Sequence, residues 1–483
     1  MPGSPGPANI RAPCLAGNAV DRTAPFGSDR STTMMSKTPA FVQLDTPLTV
    51  RAKQLTGLFE IFYAGVLLFA LTQGPVLSYW LRNPHLGQLP PERAIDTTYL
   101  FVQLPAVALL IRRLRPGLLA WRPALFVTAL AGFMALSTWW SVLRADTIVA
   151  TAALVTTTLA GLYLAASFSL RRLLWITCLA MQPGLIISEH AVRVEWTGAI
   201  DLRYSWTGIY INRNSLGPPA AIGLITALFL AFALLRRTSR HRTLAVVFLL
   251  AAAAYDARIL HKSGSATSFT LAAVAIFVFV GFTAAAVLLG RRCTPQLARR
   301  IGAAYVGVLC GVAIVVYGLR DQVSSWLHRP AGFDGRTPYW EASLHGFRVH
   351  PLRGWGWLSA WHSPEFKALV PESLQGELWS HSAYLDVALG GGLIAVCLLA
   401  GVFAAGFGNV AEIALADGEL AAWPIALATA VAIASTQESF MIGNHFLWLL
   451  FVAAVAKVVN PTSTRPTEPQ PEELDSQEPA WTS

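Results

Sequence analysis

Charged residues are scarce in this chain: they make up 13% of its 483 residues, whereas 54% of the residues are hydrophobic. A soluble globular domain carries about 25% charged residues. The hydrophobic residues form long runs without the apolar–polar alternation of barrel strands, and about 20 consecutive apolar residues suffice to cross a bilayer. The composition therefore excludes an ordinary soluble domain and a β-barrel, and it predicts an all-α polytopic membrane protein.

Cysteine is also rare, and no Cys-x-x-Cys spacing occurs. The five cysteines are Cys14, Cys178, Cys293, Cys310 and Cys397. Three of them lie inside hydrophobic runs, so they indicate neither a disulfide framework nor a zinc site. The sequence contains no Asp-x-Asp pair either. We therefore predict no metal site and no cofactor.

Basic residues exceed acidic ones, with a formal net charge of +9 and a pI of about 9.5. The arginines cluster in short links between apolar runs, which is typical of membrane topology and not of a nucleic-acid groove. Nucleic acid is therefore not a predicted partner, whereas the lipid bilayer is.

The hydrophobic runs predict about twelve membrane spans. They are residues 56–80, 97–111, 122–141, 147–169, 173–188, 217–235, 243–257, 268–290, 301–319, 383–407, 421–437 and 442–459. Arginines follow the second, fourth, sixth and eighth spans, which places those links and both termini in the cytoplasm by the positive-inside rule. The link at 408–420 is an exception without Lys or Arg. The longest link, 320–382, then becomes one large outer (periplasmic) loop, and its many aromatic residues favour packing over disorder.

Both ends of the chain are polar and poor in apolar residues. Residues 1–50 predict a disordered segment without the apolar stretch of a signal peptide, and Met34 or Met35 is an alternative start. Residues 461–483 are rich in Pro and Glu and also predict disorder. The predicted transmembrane domain therefore spans residues 51–460, with the large loop inside it.

Polar residues collect on the predicted outer face, where uncompensated polar groups are expensive and mark functional sites. They lie in "YSWTGIYINRNSLGPP" (204–219), "ARILHKSGSATSF" (257–269), "GRTPYWEASLHGFRVHPLRGWGWLSAW" (335–361) and "WSHSAYLDVALGGGLIAV" (379–396). In this order the motifs resemble the O-antigen ligase and polysaccharide polymerase superfamily of bacterial membrane glycosyltransferases. The positions that carry the resemblance are Gly208, Asn212, Asn214, Leu216, Gly217, Ser263 to Ser268, Gly335, Arg336, Trp340, His350, Pro351, Leu352, Gly354, Gly356, His381, Ser382, Tyr384, Leu385 and Gly392.

The resemblance implies a helical bundle of the lipid-dependent glycosyltransferase kind in the bacterial inner membrane. It also implies a reaction on the outer face, in which a glycan moves from undecaprenyl pyrophosphate to a sugar hydroxyl. That transfer would be metal-independent and inverting. The acceptor would be another lipid-linked glycan in a polymerase or lipid A–core in a ligase. Ser265-Ala266 stands where many ligases carry a Ser-Arg pair, which favours polymerase-like members and leaves both activities open.

The resemblance makes His381 the candidate base and Arg336 the candidate pyrophosphate or acceptor ligand. A histidine has an ordinary pKa of about 6.5, and an arginine fork binds phosphate oxygens in pairs. The further substrate-binding candidates are Arg213, Asn214, Arg203, Arg258, Lys262 and Tyr384. The alternatives are structural. His381 would then be a helix-start residue after Ser380 as N-cap, and Arg336 a loop arginine paired with Glu341 or Asp334.

Two further features of the last motif have structural interpretations. Asp386 falls on another face of the helix than His381, so we interpret it as a charge favoured at a helix start. Gly390, Gly391 and Gly392 predict a close-packing or bending site. Two competing hypotheses remain for the whole chain: a transporter or flippase of lipid-linked glycans, which would need repeats and mid-membrane charges, and an unrelated membrane enzyme that uses the same lipid carrier.

Overall fold

The computed structural model describes residues 47–81, 92–113, 122–236, 242–318, 335–376, 378–415, 420–441 and 443–457. The chain divides into two units, Met1–Gln54 and Leu55–Ser483, and the second contains the helical bundle. Across the described ranges the protein is helical, with no strand and one isolated bridge between Ile200 and Trp206. Of the two segments predicted to be disordered, residues 1–46 and 461–483 lie outside the described ranges, whereas residues 47–50 are helical. Residues 320–334 of the predicted large loop also lie outside the described ranges.

Helices cover most of each apolar run that the sequence predicts, and one further helix of 13 residues lies in the segment predicted as the large loop. In chain order they are α1 Pro47–Leu71, α2 Gly74–Leu81, α3 Glu92–Arg113, α4 Arg122–Leu136, α5 Arg144–Ser167, α6 Leu170–Arg193, α7 Arg213–Leu235, α8 Arg242–Ser263, α9 Ala266–Leu289, α10 Pro295–Gly318, α11 Thr337–Val349, α12 Ala383–Ala414, α13 Trp423–Ala434 and α14 Phe446–Val455. Within the described residues, six of them (α5 to α9 and α12) are long and apolar enough to cross a membrane. This is the architecture of a helical membrane protein, and the count of twelve spans stays a prediction.

The two last helices form the centre of the bundle. Every residue of α14 is buried, and so is nearly all of α13, which packs against α14. A helix that is apolar all round is buried in a protein core or in a membrane, and here other parts of the protein bury it. Just beyond α14, the Lys457 ammonium donates to the carbonyl oxygens of Ala165, at 2.7 Å, and of Phe168. A cation at the end of α5 satisfies its terminal carbonyls and interacts favourably with the helix dipole.

The glycine triplet bends α12, which confirms the bending predicted for it. Gly392 leaves the helical conformation, with φ 63° and ψ −160°. The freed backbone groups bind a loop and not another helix. Leu393 and Ile394 donate their N–H groups to the carbonyls of Pro351, at 2.8 Å, and Leu352, at 3.2 Å. The "HPLRGWGW" motif thus fits into a break in α12.

Replacing Gly392 by alanine is expected to destabilise the protein strongly. A Cβ there would lie 2.4 Å from the Leu352 carbonyl carbon, in a backbone region open almost only to glycine. Gly408→Ala in the same helix is the matched control, because its Cβ would meet no atom within 4 Å. Thermal unfolding in detergent measures both variants. Equal melting temperatures for Gly392→Ala and Gly408→Ala would contradict this account of the bend.

The described residues of the segment predicted as the large loop pack around an apolar cluster of their own. Its buried members are Ala342, Trp355, Ala360, Trp361, Phe366, Val370, Leu374 and, from α12, Leu389. The Trp355 backbone N–H donates to the Leu389 carbonyl at 2.9 Å, which joins the cluster to α12. The cluster therefore gives a fixed frame to the segment that leads into His381.

Candidate functional site

His381 lies where the folded loop segment meets α12. The preceding residue, Ser380, is buried, and its hydroxyl contacts the Ser343 hydroxyl at 2.8 Å and the Trp361 Nε1 at 3.2 Å. His381 itself has a left-handed backbone (φ 51°), and its imidazole lies edge-to-face with the ring of Tyr339 at 5.2 Å. The helix begins at Ala383 with Ser382 as its N-cap, so Ser380 anchors the loop and is not the cap.

The Glu438 carboxylate brings three predicted site residues together. Its Oε1 accepts from Arg336 Nη2 at 2.5 Å and from Asn214 Nδ2 at 2.9 Å. Its Oε2 lies 3.8 Å from His381 Nδ1, which is within ion-pair range but too far for a hydrogen bond. Arg336, His381 and Asn214 come from three motifs that are separate in the sequence, and the fold brings them together.

Arg336 is held on a second side as well. Its Nη1 donates to the Gln437 carbonyl oxygen and lies 3.2 Å from the Gln437 Oε1. Its side chain is 13% exposed and that of Glu438 is 12% exposed, so the pair is largely removed from water. The acidic partner of Arg336 is therefore Glu438. Of the two partners that the sequence suggested, Glu341 is not the partner, and Asp334 lies outside the described residues.

The chain between α13 and α14 is bound to the start of α12. The Ala383 N–H lies 3.0 Å from the Ser435 carbonyl and 3.3 Å from the Glu438 carbonyl. The Tyr384 hydroxyl donates to the Ala432 carbonyl at 2.8 Å. These bonds fix the backbone on both sides of the Glu438–His381 contact. Tyr384 contributes to this connection, and its substrate-binding role stays a prediction.

Asp386 has a larger structural part than a helix-start charge. It is buried, and its Oδ1 accepts from the Ser380 N–H at 2.8 Å while its Oδ2 accepts from the Ser439 hydroxyl. Ser380 precedes His381 and Ser439 follows Glu438. One carboxylate therefore binds both of the loops that carry the site.

Removing this carboxylate is expected to destabilise the protein by about 1–3 kcal/mol, since Asp386→Ala leaves two buried donors without their acceptor. Asp386→Asn should lose less, because its amide oxygen still accepts from the Ser380 N–H and its NH₂ can donate to the Ser439 hydroxyl. Thermal unfolding in detergent measures both. Asp386→Ala with wild-type stability would show that the buried contacts are not needed to hold the loops.

Arg258 belongs to a second charged cluster. Its Nη2 lies 2.6 Å from Glu189 Oε1, which also accepts from Arg193 Nη2 at 2.6 Å. The Arg258 guanidinium stacks over the rings of Trp206 and Tyr255, at 5.6 and 5.5 Å from their centroids. The structure therefore places Arg258 on Glu189 and not on Glu438, and its predicted substrate contact stays untested.

The other predicted basic residues lie near the surface. Arg203 and Lys262 are exposed, and the backbone of each forms a hydrogen bond. The Arg203 N–H donates to Asp201 Oδ1 at 2.8 Å, and the Lys262 carbonyl accepts from the Trp206 N–H at 2.9 Å. Arg213 is half-buried at the first position of α7, beside Asn214. Their roles in substrate binding stay predictions.

The serine-rich motif has a packing role at the start of α9. Ser265 is the N-cap and accepts from the Ser268 N–H at 3.4 Å. A Cβ on Gly217 of α7 would lie 2.3 Å from the Ser268 Oγ. The glycine of the "NRNSLG" motif thus lets α7 approach the "SGSATS" turn closely, which explains why the two motifs occur together.

Sequence reasoning missed Glu438 as a site residue. It lies in a predicted outer link of only four residues, 438–441, between two apolar runs. An acidic residue at a membrane boundary is itself a functional signal, and that signal could have identified it. Within the described residues, no three His, Cys, Asp or Glu side chains converge as a metal site.

The chain is similar to a curated protein whose name states a role in polysaccharide production. The chain is 27% identical over 213 residues to the exopolysaccharide production protein ExoQ of Rhizobium meliloti (strain 1021). The match covers 43% of this chain and 47% of that protein, so the chain spans about half the length of the curated relative that it matches. No family model matches the sequence.

Proposed function

We propose that this protein is a membrane glycosyltransferase that extends a surface polysaccharide. It takes a glycan from undecaprenyl pyrophosphate and transfers it to a sugar hydroxyl of an acceptor glycan. The observation that carries the proposal is the meeting of Arg336, His381 and Asn214 on Glu438. A cation suited to phosphate and an imidazole suited to proton transfer thereby lie around one carboxylate.

The chemistry follows from these side chains. A ring nitrogen of His381 accepts the proton of the acceptor hydroxyl, and the hydroxyl oxygen forms a bond to the anomeric carbon. The bond from that carbon to the pyrophosphate oxygen breaks, and its electron pair leaves with undecaprenyl pyrophosphate. Attack on the face opposite the leaving group inverts the anomeric centre. The guanidinium of Arg336 neutralises the charge on the leaving pyrophosphate.

Polymerisation is the form of the reaction that we propose. The similarity to a protein of exopolysaccharide production supports it, and so does Ser265-Ala266 in place of the Ser-Arg pair of many ligases. Arg336 and Glu438 both fall on predicted outer links, so the reaction belongs on the outer face of the inner membrane under the proposed topology. Both termini are then cytoplasmic.

Product sizing tests the proposal. The purified protein in nanodiscs is incubated with an undecaprenyl-pyrophosphate-linked oligosaccharide, with and without lipid A–core, and the glycans are separated by length. A ladder of longer chains is the expected result, and one-step capping of lipid A–core would replace polymerase by ligase. Movement of a fluorescent lipid-linked oligosaccharide across vesicles without any glycan transfer would overturn the proposal in favour of a flippase.

A further inference from the structure

The Arg336 guanidinium, the proposed pyrophosphate ligand, is bound to a carboxylate of the protein itself. We infer that Glu438 is a positioning residue that occupies the anion site on Arg336 and passes to His381 when the donor pyrophosphate takes its place. Binding of the donor would thereby complete the base. The inference rests on the proposed function for its substrate and on the described contacts for its geometry.

The Glu438 Oε1 has the surroundings of a phosphate oxygen. It accepts from a guanidinium nitrogen of Arg336 at 2.5 Å and from the amide nitrogen of Asn214 at 2.9 Å. A phosphate oxygen is bound in the same way, by a charged guanidinium and a neutral donor that converge on it. A pyrophosphate oxygen can therefore replace Oε1 without a change in the donors.

Arg336 can exchange acceptors and keep its position. The Nη1 side of its guanidinium donates to the backbone carbonyl of Gln437, and only the Nη2 side is bound to Glu438. Loss of the Glu438 contact leaves the Gln437 contact in place. The arginine thus remains aimed at the site while its second edge changes from carboxylate to phosphate.

Glu438 can reach His381 by movement of its side chain alone. Its Oε2 already lies 3.8 Å from His381 Nδ1, about 1 Å beyond hydrogen-bond distance. Its backbone is fixed, since its carbonyl lies 3.3 Å from the Ala383 N–H and the next residue, Ser439, donates to Asp386. A carboxylate released from Arg336 therefore has the imidazole as its neighbour. It would hold Nδ1 as a donor and leave Nε2 to take the proton.

Glu438→Gln separates the two parts of this inference. The substitution keeps the shape and removes the charge that competes with the donor, so the donor KM should fall by about tenfold. It also removes the carboxylate that would orient His381, so kcat should fall by about tenfold or more. A merely structural role would instead raise KM, or lower the melting temperature together with kcat.

Glu438→Asp provides a second variant that keeps the charge and shortens the reach. The competing anion remains, so the donor KM should stay near that of the wild type, whereas kcat should fall because the carboxylate no longer reaches His381. Glu341→Gln is the matched control, because Glu341 is an exposed acid on α11. It should change neither parameter. Thermal unfolding of each variant establishes that it is folded.

Binding of inorganic pyrophosphate, measured by calorimetry on the detergent-solubilised protein, gives a readout that does not need glycan transfer. Glu438→Gln should bind pyrophosphate more tightly than the wild type, and Arg336→Ala should not bind it. Weaker binding to Glu438→Gln, or an unchanged kcat in both Glu438 variants, would overturn the inference. If the wild type transfers no glycan but Glu438→Gln still binds pyrophosphate more tightly, the proposed function fails and the anion site stands.

Discussion

Removing the imidazole of His381 is expected to lower glycan transfer by about 10²–10⁴-fold, the usual contribution of a general base. The acceptor hydroxyl is a poor nucleophile while it keeps its proton. The His381 imidazole can accept that proton, because it lies beside Glu438, the residue to which Arg336 is bound. The KM for the donor should change less than kcat, because the donor's pyrophosphate binds Arg336 and His381 only receives the displaced Glu438 carboxylate. Initial rates with a lipid-linked oligosaccharide measure both parameters.

The choice of substitution matters, because His381 has a left-handed backbone with φ 51°. Asparagine tolerates this region better than alanine does. His381→Asn is therefore the variant that removes the base with the least strain, and His381→Ala is compared with it. His345→Ala on α11, an exposed histidine, is the control and should keep full activity. Transfer at a near wild-type rate by folded His381→Asn would refute the base assignment.

The helices were predictable from the sequence because hydropathy reports burial from water, whatever does the burying. For the same reason hydropathy does not count membrane spans. The run 421–437 corresponds to α13, a helix of 12 residues, and the run 442–459 to α14, a helix of 10 residues. Both are enclosed by other helices. Their apolar character therefore reflects the protein core as much as a bilayer.

The site was predictable only in part. Motif order identified His381, Arg336 and Asn214, because each lies in a recognisable local pattern. Glu438 and the contacts of Asp386 depend on which loops meet after folding, and no local period encodes that. The helix angle between residues 381 and 386 does not apply, because His381 has φ 51° and the helix begins only at Ala383. It gives no information on Ser380 and Ser439, through which Asp386 acts.

Loss of Arg336 should affect donor use and stability together. Arg336→Ala removes the phosphate ligand, and kcat/KM for the donor should fall by about 100-fold. It also leaves the Glu438 carboxylate, 12% exposed, without its cationic partner, which should destabilise the protein by about 3–5 kcal/mol. Arg336→Lys keeps the charge but has no fork to bind both Gln437 and Glu438. It should recover part of the stability and little of the donor affinity.

The double variant Arg336→Ala/Glu438→Gln separates the two effects. Removing the unpaired charge should restore most of the stability that Arg336→Ala loses, because no uncompensated carboxylate remains buried. It should not restore donor use, because neither alanine nor glutamine carries the positive charge that pyrophosphate needs. Donor kinetics and thermal unfolding of all four variants, wild type included, measure the coupling between the two residues. Recovery of donor use in the double variant would contradict the role of Arg336 as a phosphate ligand. The arginine would then serve only to neutralise the charge of the Glu438 carboxylate.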